Sequence, residues 1–183
     1  MRPGFTDFTP RFGVLEFCCV AVSLLAASAC SRLEAVVELR GPDGSHVGMA
    51  RLIDRRGGVV VRMEVSGLPQ GAHGAHIHEN AACTAPDFLS AGGHFDHSGA
   101  GHDHNDPKGH HSGDLPNLMI GPDGRGSMDA MIPAVTLSGT GSHSLFREGG
   151  TSLVIHEAED DMVSEPSGGS GRRIACGVIR PAS

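Results

Sequence analysis

Between Gly71 and Leu118 the chain carries nine of its twelve histidines and very few apolar residues, and no other stretch limits the fold so sharply. Gly, Pro, Asn and Asp recur through it too often for a long helix or a long strand. A loop of that length inside a compact domain is uncommon unless it has a function that orders it. Six histidines fall from His94 to His111, with one lysine and no aromatic beyond Phe95. Such a segment cannot bury a core, but it can order itself around a cation.

One short piece inside it reads as a strand, Ala75 to Glu79. In a strand, residues i and i+2 share a face, so His76 and His78 point one way and Ile77 the other. Neutral imidazole suits zinc and copper, and imidazoles joined by a carboxylate suit tetrahedral zinc. His94 after a Gly-Gly turn, then His102, His111 and Asp114, supply that kind of set. Metal binding is therefore the leading expectation.

The rest of the chain reads as scaffolding. Ala35–Arg40, Val47–Asp54, Val59–Val65, Leu118–Ile120, Gly126–Ile132, Leu153–Glu157 and Ile174–Ile179 are short runs with partial period-two alternation. Gly-Pro-Asp-Gly and Arg-Gly-Gly turns separate them. No segment sustains a helical period, and the chain has 27 glycines and neither Trp nor Tyr. The expectation is an all-β antiparallel Greek-key barrel or sandwich, one domain without internal repeats. The formal net charge of −7 leaves no case for nucleic acid as a partner.

Residues 1–29 read as a signal peptide. Arg2 and Arg11 supply basic charge, and the apolar run Phe17–Ala29 is too short to span a bilayer. Ala27-Ser28-Ala29 fits ordinary cleavage, while Ala26 to Cys30 also resembles a bacterial lipobox, in which Cys30 would be acylated and anchor the protein to a membrane. The mature domain is then 30–183. Cys18 and Cys19 leave with the leader and Cys30 is lipidated or unpaired, which leaves Cys83 and Cys176. In an oxidising compartment such a pair reads as a disulfide, contributing on the order of 3–5 kcal/mol.

The motifs GAHIHE, AGGHFD, PKGHHSGDLPNL, LVIHE and GRRIACGVI occur in order between Gly74 and Ile179, and together they resemble the bacterial copper/zinc superoxide dismutase family, the resemblance covering the chain from about residue 34 onward. The resemblance implies an eight-stranded Greek-key barrel with two long functional loops, roughly residues 80–117 and 157–172. It implies copper held by His76, His78, His94 and His156, and zinc held by His94, His102, His111 and Asp114, with His94 bridging the two. It further implies that Asp160 orients one histidine of each site, that Arg173 docks the anion, and that Cys83 pairs with Cys176. The implied reaction is dismutation of superoxide to dioxygen and hydrogen peroxide by a redox-cycling copper beside a structural zinc, in the periplasm or cell envelope. Monomer and homodimer both stay open.

The acidic net charge should repel an anion, so a positive channel would have to be local: the bound metals, Arg173, and Arg172 or Lys108. His73 is expected in a loop, His46 and His143 on the surface, and His110 turned away. His104 is a competitor of His102 for zinc. A non-catalytic exported copper-buffering module on the same barrel is the alternative reading.

Overall fold

Alternation of apolar and polar residues builds the sheet. In β1 (Glu34–Arg40), Ala35, Val37 and Leu39 face inward, and in β3 (Gly58–Val65), Val59, Val61, Met63 and Val65 do the same. β2 (His46–Arg55) lies between them, antiparallel to both. The β2–β3 hairpin turns on Arg56 and Gly57, where Gly57 takes φ 93°, a backbone state that costs glycine little. The structure, a computed structural model, describes Met1 and residues 33–183. The expected leader and Cys30 lie outside the described residues.

Seven further strands follow: β4 (Gly71–His73), β5 (Ala75–His78), β6 (Leu118–Ile120), β7 (Gly126–Pro133), β8 (Ser152–His156), β9 (Arg173–Val178) and β10 (Arg180–Pro181). The strand order is β4-β6-β7-β3-β2-β1-β9-β8-β5, with β10 beside β1 and every pairing between named strands antiparallel. β4 and β5 stand at opposite ends of this order yet are separated in sequence by Gly74 alone. The chain therefore closes the barrel through its own backbone at that bend, and with the two-residue β10 set aside, β4–β5 counted as one bent strand gives the expected eight.

The interior is filled by Leu39, Leu52, Val61, Ile77, Phe95, Leu118, Ile132, Leu153 and Ile155 among others, all essentially excluded from water. Three long connections leave this frame: those from β5 to β6 and from β8 to β9 stand at the expected places, and a third, residues 134–151, joins β7 to β8. The β5–β6 connection contains a single 3₁₀ turn, Leu89–Ala91, the one helical element among the described residues. β4 and β10 escape a reading of the sequence, because three and two residues are too few to show a period.

Candidate metal centre

The pairing of β5 with β8 sets Ile77 opposite Leu153 in the core and turns His76 and His78 to the other face. All four residues of β5 are nonetheless buried, because the long loop closes over that face. It does so by running along the free edge of β5. Ile77 N–H donates to Gly113 O at 2.8 Å and Phe95 N–H to Ile77 O at 2.8 Å, with Glu79 N–H to Gly93 O at 3.0 Å and Leu115 N–H to Ala75 O at 3.2 Å on either side. This backbone pairing places His94 beside His78 and Asp114 beside His76. Gly113 is required for it, since a Cβ there would stand 2.5 Å from Ile77 O. His156 closes β8 at a bulge that brings it opposite Arg173.

Two groups result, and they share one ring. Donor atoms of His76, His78, His94 and His156 all lie within 4.8 Å of one another, and so do those of His94, His102, His111 and Asp114. His78 Nδ1 and His156 Nδ1 donate to the carbonyls of Gly92 and Gly171 at 2.9 and 3.0 Å. A carbonyl only accepts, so both rings hold their proton on Nδ1 and turn Nε2 inward. Those Nε2 atoms face each other at 3.4 Å. His76 Nε2 donates to Asp160 Oδ2 at 2.7 Å, and His102 Nε2 to Asp160 Oδ1 at 2.9 Å. One buried carboxylate thus orients a ring from each group.

The remaining atoms test whether the pocket suits a metal. Asp114 Oδ1 lies 2.7 Å from His94 Nδ1, while its Oδ2 lies 3.0 Å from His102 Nδ1 and 3.5 Å from His111 Nδ1. His76 Nδ1, His94 Nε2, His102 Nδ1, His111 Nδ1 and Asp114 Oδ2 are all buried without a hydrogen-bond partner. Buried polar atoms are ordinarily paired, and five that converge unpaired on two points are lone pairs awaiting cations. The donors fit: imidazoles alone in one group, three imidazoles and a carboxylate in the other.

Electrostatics keeps the ligands in their binding forms. Burial, seconded by neighbouring imidazoles, pushes His78 down to about 2 and His156 down to about 3, and pushes His94 down to about 4 against the Asp114 hydrogen bond. These rings are neutral at neutral pH, as a metal ligand must be. Burial alone would raise Asp114 and Asp160, but the imidazoles of His111 and His94 around the first, and of His76 and His102 around the second, hold both below the ordinary carboxylate range. Asp96 is lowered as well: against the cost of burial it accepts from the backbone and hydroxyl of Ser98, from Gly99 N–H and from Ser112. It thereby pins the loop between His94 and His111.

Arg173 is half-buried. Its guanidinium donates to Phe88 O and Gly92 O, each at 2.6 Å, and Gly92 O is the same carbonyl that fixes His78. Burial pulls Arg173 below its ordinary value, with Asp87 acting the other way. Cys83 and Cys176 form a disulfide that ties the long loop to β9 across a sequence separation of 93 residues.

His102 is wholly buried between Asp114 and Asp160, whereas His104 stands partly exposed with Nε2 3.9 Å from Asp114. His46 and His143 are exposed, as expected. His73 corrects its expectation: it is buried in β4, with Nδ1 2.8 Å from His156 O and Nε2 2.9 Å from Pro69 O, because β4 carries it under the site. Arg172 also departs from expectation. It is paired with Glu157 at 2.7 Å, so its charge is largely cancelled on the spot.

Most acids of the second loop are engaged in hydrogen bonds or ion pairs. Asp160 is buried, Asp161 caps the turn through Val163 and Ser164, and Glu165 Oε1 accepts from His102 N–H at 2.7 Å. The reading of the sequence missed Glu165 as a latch on the first long loop. It also missed Asn117, whose amide donates to Asp160 O at 2.8 Å and accepts from Asp160 N–H at 2.9 Å. Neither sits in a local pattern that would give it away; both act across long sequence separations.

Barrel and histidine groups together define a candidate two-centre metalloprotein whose centres are joined by one imidazole. The sequence profile described as copper/zinc superoxide dismutase matches residues 46–179. The chain is 44% identical over 158 residues to a superoxide dismutase [Cu-Zn] of Aquifex aeolicus, covering 86% of this chain and 92% of that one. It is 38% identical over 149 residues to a superoxide dismutase [Cu-Zn] of Caulobacter vibrioides, covering 80% and 85%. Among solved structures, a SOD-like protein from Bacillus subtilis superposes with TM-score 0.75 at 37% identity, over 79% of this chain and 97% of that one. This chain belongs to the copper/zinc superoxide dismutase family, whose metals are copper and zinc.

Proposed function

We propose that this protein dismutates superoxide: two superoxide anions and two protons give one dioxygen and one hydrogen peroxide, one anion being oxidised and the other reduced. The observation that carries it is His94, one ring with Nδ1 against Asp114 and an unpartnered Nε2 turned into the all-histidine group. Copper held by His76, His78, His94 and His156 would supply the one-electron couple, and zinc held by His94, His102, His111 and Asp114 would supply a fixed positive charge beside the shared ring. Every other part of the task belongs to the chain's own groups.

His94 Nε2 is the atom at which a proton can be taken up and released beside the substrate. Asp160 holds His76 and His102 with their Nδ1 lone pairs inward. Arg173, anchored on two carbonyls, offers a preorganised cation to an approaching anion with little reorganisation. The pairing of Glu157 with Arg172 and the engagement of Asp161 and Glu165 in hydrogen bonds lessen the charge that the acidic loop turns on that anion.

The same reading takes residues 1–29 as a signal peptide, cleaved before Cys30, with the domain at 30–183 exported to the periplasm or cell envelope. The Cys83–Cys176 disulfide supports an oxidising compartment. Acylation of Cys30 would add a membrane anchor.

The test is the dismutation rate of the mature chain with its copper and zinc content, set against Arg173→Ala. The wild type is expected to hold one of each metal and to turn over fast. Arg173→Ala is expected to keep both metals and lose roughly a hundred- to a thousandfold in rate, by the measure of a lost electrostatic donor. A fully loaded wild type without activity would leave only the copper-buffering reading.

A further inference from the structure

The chain as a whole is acidic, at −7, yet four arginines gather at one pole of the barrel. Val36 alternates with the buried Ala35 and Val37, so it lies on the outer face of β1, and its cross-strand partners are Arg51 of β2 and Arg180 of β10. The β2–β3 hairpin beyond them adds Arg55 and Arg56. Arg51, Arg56 and Arg180 are exposed and Arg55 is partly so. Among the described residues, Arg51 alone of the four is in an ion pair, 3.7 Å from Glu34. Asp54, the acid of the hairpin, is engaged by the β7–β8 connection: its Oδ2 accepts from Thr136 Oγ1 and Leu137 N–H at 2.7 and 2.8 Å.

Apolar side chains stand among these cations. Glu34, Ile53, Val60 and Met131 are register partners across four strands, and Met131 is 49% exposed. Leu33, whose carbonyl accepts from Asp54 N–H at 3.0 Å, is 47% exposed. Cations set among half-exposed apolar groups suit a surface that is anionic outside and apolar beneath, which is a phospholipid bilayer. The sequence leads to the same pole. Only Ser31, Arg32 and Leu33 separate Cys30 from β1, so a Cys30 held at a bilayer keeps Glu34 within about 14 Å of it even with the chain fully extended, and Arg32 brings a fifth positive charge.

We propose that this pole, with Arg51, Arg55, Arg56 and Arg180 around Leu33 and Met131, docks on an anionic phospholipid surface. Docking also aims the metal centre. β9 starts at Arg173, opposite His156, and runs to Val178, with Arg180 roughly 20 Å further along the strand direction. The docked barrel therefore holds its all-histidine group away from a bilayer whose charge would repel the substrate anion. Only this orientation draws on the role proposed for Arg173; the docking itself uses none of the dismutation chemistry.

Vesicle sedimentation with the metal-loaded, unacylated mature chain tests the pole apart from any anchor. Vesicles of phosphatidylglycerol and phosphatidylcholine are expected to carry the chain down, and vesicles of phosphatidylcholine alone to leave it in solution, with binding that falls as salt rises. Arg55→Ser with Arg56→Ser is expected to weaken binding roughly twentyfold, about fivefold for each arginine lost from the surface. Arg125→Ser removes an equal charge just before β7, at the far end of that strand from Met131, and is expected to bind like the wild type. Binding with no preference for the anionic vesicles, or a double variant that binds as tightly as the wild type, overturns the proposal. A dimer that the double variant abolishes, with no vesicle binding, gives the face to a second copy and overturns it as well. No arm reads dismutation, and the intact mass of the chain recovered from cell envelopes reports Cys30 acylation separately, so a failure of the pole is distinct from a failure of either of those readings.

Discussion

Replacing Asp160 by alanine removes one carboxylate that serves two rings. Its Oδ2 accepts from His76 Nε2 at 2.7 Å and its Oδ1 from His102 Nε2 at 2.9 Å, with the whole residue 2% exposed. A hydrogen bond to a charged partner is worth about 1.5–3 kcal/mol, and the buried N–H left behind cannot turn to water. The two rings differ in what else holds them. His76 sits in β5, fixed by β8 on one edge and by the loop on the other, whereas His102 sits in the loop, with its backbone held by Glu165.

The loss therefore falls mainly on the group of His94, His102, His111 and Asp114. About 1.5–3 kcal/mol converts to roughly ten- to a hundredfold weaker zinc binding. The assay is equilibrium competition of the loaded protein against a zinc chelator and, separately, a copper chelator. Asp160→Ala should release zinc at correspondingly lower chelator concentration, with a smaller shift for copper. Unchanged affinity for both metals would refute the idea that this carboxylate sets the rings.

Reducing the Cys83–Cys176 bond, or substituting Cys83→Ser, opens a loop of 93 residues and should cost about 4–5 kcal/mol in the chain-entropy account, read by denaturant unfolding with and without reductant; a change under about 1 kcal/mol would contradict it. Gly113→Ala sets a Cβ 2.5 Å from Ile77 O, so the loop should part from the β5 edge, lowering stability by about 1–3 kcal/mol and zinc content with it; a zinc content equal to wild type would count against that pairing. His78, His94 and His156 have folded values of about 2, 4 and 3 against an ordinary value of 6.5. The unfolded chain then binds the extra protons, so in the metal-free chain stability is full above about pH 6.5 and falls as pH drops toward about 4, by up to about 1.4 kcal/mol per pH unit per histidine. Unfolding curves of the metal-free protein that do not shift over that window would argue against buried neutral rings.

Much of this protein could be read along the chain. Alternation in 35–40 and 59–65 marks strands because a barrel wall has one dry face, and His76-Ile77-His78 declares its two faces by the same rule. The absence of core-forming residues from the long loop announced that something other than burial must order it. What the linear order could not decide was which histidines meet. His102 and His104 are two residues apart, and only the closure of the second loop, bringing Asp160 and Glu165 onto the first, buries one and leaves the other at the surface. His73 looked like a loop residue because β4 is too short to show a period, yet the bend at Gly74 carries it beneath His156. Asn117 and Glu165 act over 43 and 63 residues of sequence, distances at which no local pattern survives. Residue types and periodicity state what a chain must bury and what it can ligate; the pairing of remote segments, a matter of backbone hydrogen bonds and excluded water, chose the partners.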